Sequence, residues 1–260
     1  MKKVLLCLAG MILYGTLFSQ DSLVKSYWTG GTACNIPAHR VEFGLLTASR
    51  YGISNRLELS AHPLMFFLMP QVSLKVYWGG DAGFMLATEH GIFYPTLFMR
   101  LVAAKGTGGL ISPEFSIPQM IAVSNRILVS YRPFGKALLT AHAGISFALE
   151  SARPDPASTI DLPVIYPRLA VFYNQPVVDA GLDFRGYFIP RFGWLLNGEN
   201  FFVRGTKRNY FFENKGVLVY TSKRENLRVE AGYKLCFGRY PYGEQWHLLP
   251  VVDIGFAFGK

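Results

Sequence analysis

His142, Ser146 and Glu150 fall at even spacing in one stretch and are the first residues whose types could do chemistry together. A histidine, a serine and a carboxylate are the makings of a hydrolase. On a strand, however, side chains two positions apart stand about 7 Å apart, so His142 and Ser146 would be separated by about 13 Å, too far for direct proton transfer. Ser60 and His62 are closer in spacing and are the least unfavourable pair for a lipid-acting hydrolase. Yet Arg56 and Glu58 continue the same row, which reads as an ordinary polar lining. The glycine-rich stretch from Lys105 to Gln119 lacks the closing Gly-Lys-Ser/Thr of a phosphate loop. No set of histidines, cysteines and carboxylates has the spacing of metal ligands in sequence. The expectation is a protein without a catalytic residue, metal or cofactor.

The other charged residues follow the same period of two. Arg56, Glu58, Lys75, Arg126, His142, Asp179, Asp183, Arg185, Arg228, Glu230, Lys234 and Asp253 alternate with apolar neighbours and belong to the inner face of a closed sheet. Glu42, Glu89, Arg100 and Arg168 extend that set. Their signs are mixed, which fits either ion pairs filling a narrow barrel or a hydrated channel with a field across it. Excess positive charge gathers at Arg191, Arg204, Lys207 and Arg208, in a stretch expected to be a long outer loop. There it would attract small anionic solutes or hold the phosphates of outer-leaflet lipid.

The elements that must position these residues are long strands. Leu227, Val229, Ala231, Tyr233, Leu235 and Phe237 share one face, and after a turn over 239–245 so do Trp246, Leu248, Pro250, Val252, Ile254, Phe256 and Phe258. Soluble strands average about 5–6 residues, whereas a tilted strand needs about 9–11 to cross a bilayer. The continuous apolar faces therefore point to lipid. Similar alternation places strands at 40–51, 56–67, 71–78, 84–94, 96–104, 120–132, 137–149, 164–174, 177–188 and 209–222, with loops at 105–119, 151–163 and 189–208. The expected fold is all-β, a transmembrane antiparallel up-and-down β-barrel of about twelve strands, within a range of 10–14. Short breaks at 69–70, 94–95, 133–136, 175–176 and 223–225 are assigned to the periplasmic end, and the three long loops to the outside.

Composition agrees. The chain of 260 residues is 50% hydrophobic and 15% aromatic, with 17% charged, below the usual quarter of a soluble domain. Lys2 and Lys3 precede an apolar run from Val4 to Phe18, so residues 1–20 read as a signal peptide. Residues 21–39 read as an irregular periplasmic lead-in, and 40–260 as the barrel. Of three cysteines, Cys7 leaves with the signal, while Cys34 and Cys236 either pair or act as small fillers. The net charge of +9 suits anionic lipid or solutes, and nothing resembles a nucleic-acid-binding module.

The RYGISNRLEL hairpin (50–59), the repeated alternating strands and the closing strand PVVDIGFAFGK (250–260) resemble Gram-negative outer-membrane porin-like barrel proteins. The resemblance implies residence in the outer membrane, contact with membrane lipid including lipopolysaccharide, and passage or binding of a small solute without catalysis. The alternatives are an envelope lipid hydrolase and a closed structural barrel whose loops bind a partner. Oligomeric state and the solute stay open.

Overall fold

A computed structural model describes residues 28–63, 66–67, 69–133, 137–204 and 210–259. The expected signal peptide, Lys207 and Arg208 lie outside the described residues. Alternating sequence becomes one closed, wholly antiparallel barrel of twelve strands. These are β1 (Val41–Gly44), β2 (Ser49–Gly52), β3 (Leu57–Ala61), β4 (Gln71–Asp81), β5 (Phe84–Phe93), β6 (Met120–Tyr131), β7 (Leu138–Glu150), β8 (Val177–Ile189), β9 (Phe192–Val203), β10 (Tyr210–Thr221), β11 (Leu227–Tyr240) and β12 (Gly243–Phe258). Closure comes from β1 pairing β12 over only Val41–Gly44 against Gly255–Phe258.

The faces follow the period of two. On β8, Val178, Leu182 and Phe188 are exposed while Asp179, Asp183 and Arg185 are buried inside. On β12, Trp246, Leu248, Val252, Phe256 and Phe258 point outward and Asp253 and Ala257 inward. The exposed leucines, isoleucines and phenylalanines of the other long strands continue this outer belt, an area no soluble monomer leaves bare.

The count of twelve holds, but four strand assignments change. Residues 96–104 are not a strand: Thr96–Val102 form a helix, α1. Its buried residues are Thr96, Met99 and Val102, a spacing of three that belongs to a helix face. Residues 164–174 are not a strand either. They form a short helix, α2 (Tyr166–Leu169), with Pro167 in its first turn, followed by a 3₁₀ turn at Ala170–Phe172; proline suits that position because its missing N–H has no helical partner. The expected loop 189–208 contains β9 in full. Asn197-Gly198 reads locally as a turn, but pairing with β8 and β10 on both sides overrides it. The expected strand 40–51 is two strands, because Asp253 captures the turn between them through the Leu46 N–H at 2.7 Å and the Thr47 hydroxyl at 2.6 Å.

These changes redistribute the connections. The end bearing both described termini carries the short turns 53–56, 82–83, 132–137, 190–191 and 222–226. The opposite end carries 94–119 and 151–176, together with 45–48, 62–70, 204–209 and 241–242. The breaks at 69–70, 94–95 and 175–176 therefore belong to the long-loop end, opposite to their expected side.

Replacing Leu182 by Arg puts a charge in the middle of the outer belt. It should cost about 2–4 kcal/mol on refolding into lipid, measured by denaturant titration. Ser124→Gln, on an inward row of β6, should refold like the parent; equal tolerance of both would break the assignment of faces.

Candidate functional site

Inside the barrel three layers stack from the short-turn end to the long-loop end. The lowest is the segment expected as a periplasmic lead-in. From Trp28 to Ile36 it runs within the wall, with Thr29, Thr32, Ala33, Cys34, Asn35 and Ile36 buried. Its backbone cannot form a ladder there, so side chains of the wall supply the partners. Arg185 donates to the carbonyls of Trp28 and Gly30 at 2.8 and 2.7 Å. Lys75 donates to the carbonyl of Cys34 at 2.7 Å, the Ala33 N–H bonds Ser130, and the Ile36 N–H bonds Glu58 at 2.9 Å. The Trp28 ring lies under the Arg228 guanidinium at 5.4 Å and against Gly255. Where the segment leaves the lumen it crosses Gly52, at which a Cβ would meet the Pro37 carbonyl at 2.1 Å.

The top layer is a cap made by the two long connections. Met99 and Val102 of α1, Ile111, Ile117, Ile160, and Tyr166, Leu169, Val171 and Phe172 from the α2 region pack on Ala148, Val177, Phe201, Phe211 and Tyr240 of the wall. Arg168 fixes α2 to β10 by a paired grip on Glu213, at 2.7 and 2.9 Å. Burial pushes the Tyr166 hydroxyl up to about 12.

Between segment and cap lies a cavity of about 590 Å³. Its apolar side includes Phe93, Ile165, Val171 and Phe201, and its polar side Ser73, Glu89, Ser124, Arg126, Asp179 and Glu199. Arg126 bridges Asp179 at 2.8 Å and Glu199 at 2.7 Å. His142 stands beside them, with Nε2 3.6 Å from Glu199. His142, Asp179 and Glu199 could hold a metal ion by type and proximity, but Arg126 already occupies the position of a cation between the two carboxylates. Three different strands contribute to this group, so no spacing in the sequence announces it. A signal was present in the glycines: a Cβ on Gly144 would meet the Asp179 carboxylate at 2.6 Å, and one on Gly181 the His142 ring at 2.7 Å. Those two inward glycines are the seats of the side chains opposite.

The expected lumen residues Glu58, Lys75, Arg126, His142, Asp179, Asp183, Arg185, Arg228, Glu230, Lys234 and Asp253 lie on inward rows, all but His142 and Asp253 as paired charges. Glu58 holds Arg50 and Lys75, Asp183 holds Arg185, Glu230 holds Lys215 and Arg228, and Glu213 holds Lys234 and Arg168. Arg56 sits in the turn before β3, half-buried. Of the expected basic outer cluster, Arg191 lies in the tight turn between β8 and β9 at the opposite end, Arg204 is described at the long-loop end, and Lys207 and Arg208 lie outside the described residues. The catalytic candidates are otherwise engaged. Ser60 bonds Ser73 at 2.6 Å, which bonds Glu89, and the His62 ring meets the Leu46 carbonyl at 3.0 Å. Cys34 and Cys236 are both buried as free thiols.

No family model matches the chain, and neither does any curated protein. Among solved structures it is similar to a bacterial polysaccharide outer membrane secretin, at 7% identity over 85% of this chain and 70% of that one, with a TM-score of 0.47. Outer-membrane expressed OmpT of Vibrio cholerae gives 11% identity over 95% and 72%, with a TM-score of 0.45. The outer membrane channel DcaP of Acinetobacter baumannii gives 10% over 94% and 69%, at 0.39. The likeness is one of barrel architecture. Identities this low and TM-scores below 0.5 leave the activity of this chain to its own geometry.

Arg185→Gln should release the inner segment. It removes two hydrogen bonds to that segment and strips the cation from buried Asp183, at a cost of about 3–5 kcal/mol in a denaturant titration. Cys34, slow toward a thiol reagent in the parent, should react faster in the variant.

Proposed function

We propose that this chain is an outer-membrane β-barrel that binds a small solute in a cavity at its long-loop end, and that passage through it requires displacement of the inner segment. The reading rests on one observation, the cavity of about 590 Å³ with the cap above it and residues 28–36 filling the lumen below. Its volume and its mixture of apolar walls with a few convergent polar groups are those of a ligand site. Residence in the outer membrane is supported by the apolar belt and by the grouping of short turns at one end and long connections at the other, the arrangement of bacterial outer-membrane barrels. On the cavity wall Arg126 and Arg168 face Glu89, Asp179 and Glu199, one more carboxylate than cation, which favours a neutral or zwitterionic solute over an anion. Envelope lipid, with lipopolysaccharide in its outer leaflet, is the surrounding partner on this reading, and no catalytic step is assigned.

Conductance tests the closed lumen. Refolded full-length protein should give no steady current in a planar bilayer, and deletion of residues 28–38 should produce one; a steady current from the full chain would overturn the proposal. Sidedness is checked by cysteine labelling in a background lacking Cys34 and Cys236. Cysteine at Glu114, exposed in a long connection, should react on intact cells, and cysteine at Arg224, exposed in a short turn, should not.

A further inference from the structure

The wall of the barrel has very unequal height. β1 and β2 are four residues long and β3 five, whereas the other strands run from 10 to 16. Among the described residues β12 pairs β1 only from Gly255 to Phe258, while it pairs β11 along its whole length from Gly243. The side of β12 that faces β1 is therefore an open edge above Ile254, whose carbonyl accepts the Leu45 N–H at 3.0 Å. Pro250 marks the same edge. Backbone groups on a strand point to alternate sides, so Pro250, four residues from Ile254 with no register shift between, turns its missing N–H toward the gap. Proline inside a sheet is confined to such places.

Four residues reach about 14 Å along a strand even without tilt, against an apolar band about 25 Å tall in outer-membrane barrels. The low wall starts at the rim marked by Phe43, Phe256 and Phe258, all exposed, so its upper lip lies within the hydrocarbon. The connections forming that lip are apolar: Leu45, Leu46, Phe66 and Phe67 are exposed, Leu46 at 57% and Phe67 at 80%. Leu46, His62 and Met69 of these connections also line the cavity. On the remaining sides the cap closes over, tied to the β11–β12 hairpin by the Tyr240 hydroxyl on Pro163 and by Gln245 on Asp161.

We infer that the cavity opens sideways into the outer leaflet over the low wall of β1–β3, and that its ligand is a single-chain amphiphile with a zwitterionic head, of the lysolipid class, arriving from the membrane. The chain lies along Phe93, Ile165, Val171 and Phe201, and the head meets the paired charges around Arg126. Unpaired backbone at membrane depth is tolerated where water or protein reaches it, so the gap beside β12 is a wetted opening, suited to a ligand with a polar head. This inference rests on the reading of the cavity as a ligand site, and the experiment separates the two.

A bimane fluorophore is attached to Ser124→Cys inside the cavity, with Cys34 and Cys236 replaced by Ser and refolding verified by heat-modifiable migration. The protein is placed in phosphatidylcholine vesicles. Lysophosphatidylcholine carrying a nitroxide near its acyl-chain end should quench the fluorophore. Phe67→Arg, a charge on the lip at a side chain outside the cavity lining, should reduce that quenching several-fold while leaving quenching by a water-soluble nitroxide unchanged. Quenching by the soluble probe alone would overturn lateral access and leave the cavity as a solute site. Quenching by neither would overturn both readings, and equal lipid quenching in Phe67→Arg would place the route elsewhere and overturn this one.

Discussion

Glu58 is the knot of the structure. Its carboxylate takes Arg50, Lys75 and the backbone N–H of Ile36, and so joins three strands' worth of charge to the segment inside the barrel. The constraint behind it is general. A closed sheet with an apolar exterior sends every second side chain inward, and a polar group brought in without a partner is expensive. Here the inward rows answer one another across strands, and the segment from Trp28 supplies carbonyls that take the remaining donors of Arg185 and Lys75, cations already paired with Asp183 and Glu58. The segment is thus part of the hydrogen bonding of the lumen as well as its filling.

The cap follows different physics. Its centre is aliphatic and aromatic, with Phe172 and Leu169 fully buried, and charge reaches across to the wall at its edges, through the grip of Arg168 on Glu213 and through Asp161, which accepts from Gln245. The cavity lies where these two kinds of filling meet, which is why one side of it is greasy and the other charged. That contrast also explains why the middle of the barrel is not filled: the polar rows of β4–β9 are largely satisfied by their own pairs, and the cap side chains that line the cavity are apolar apart from Arg168, which is held by Glu213.

Much of this was legible in the sequence. The period of two set the faces of β7, β8, β11 and β12 residue by residue, because lipid on one side and paired charge on the other leave little freedom. What escaped was whatever depended on partners remote in the chain. Asn197-Gly198 looks like a turn until two neighbouring strands claim it. Residues 96–104 alternate well enough for a strand, but Met99 and Val102 find an apolar cluster on one helical face. The group of His142, Asp179, Glu199 and Arg126 draws on four strands, and the turn that cuts β1 short is set by an aspartate some two hundred positions away. Residues 28–36, short of charge and rich in small side chains, carry no pattern that says they run inside.

The seam between β1 and β12 has a consequence for the order of assembly. Residues 28–36 touch strands all around the barrel, from β2 to β12. An open ribbon offers all of those partners at once, so laying the segment down before the ring shuts lets each contact form without insertion into a finished lumen. The four residue pairs of the seam, against fourteen on the other side of β12, are suited to being the last to form: a short zip that closes after its contents are in place.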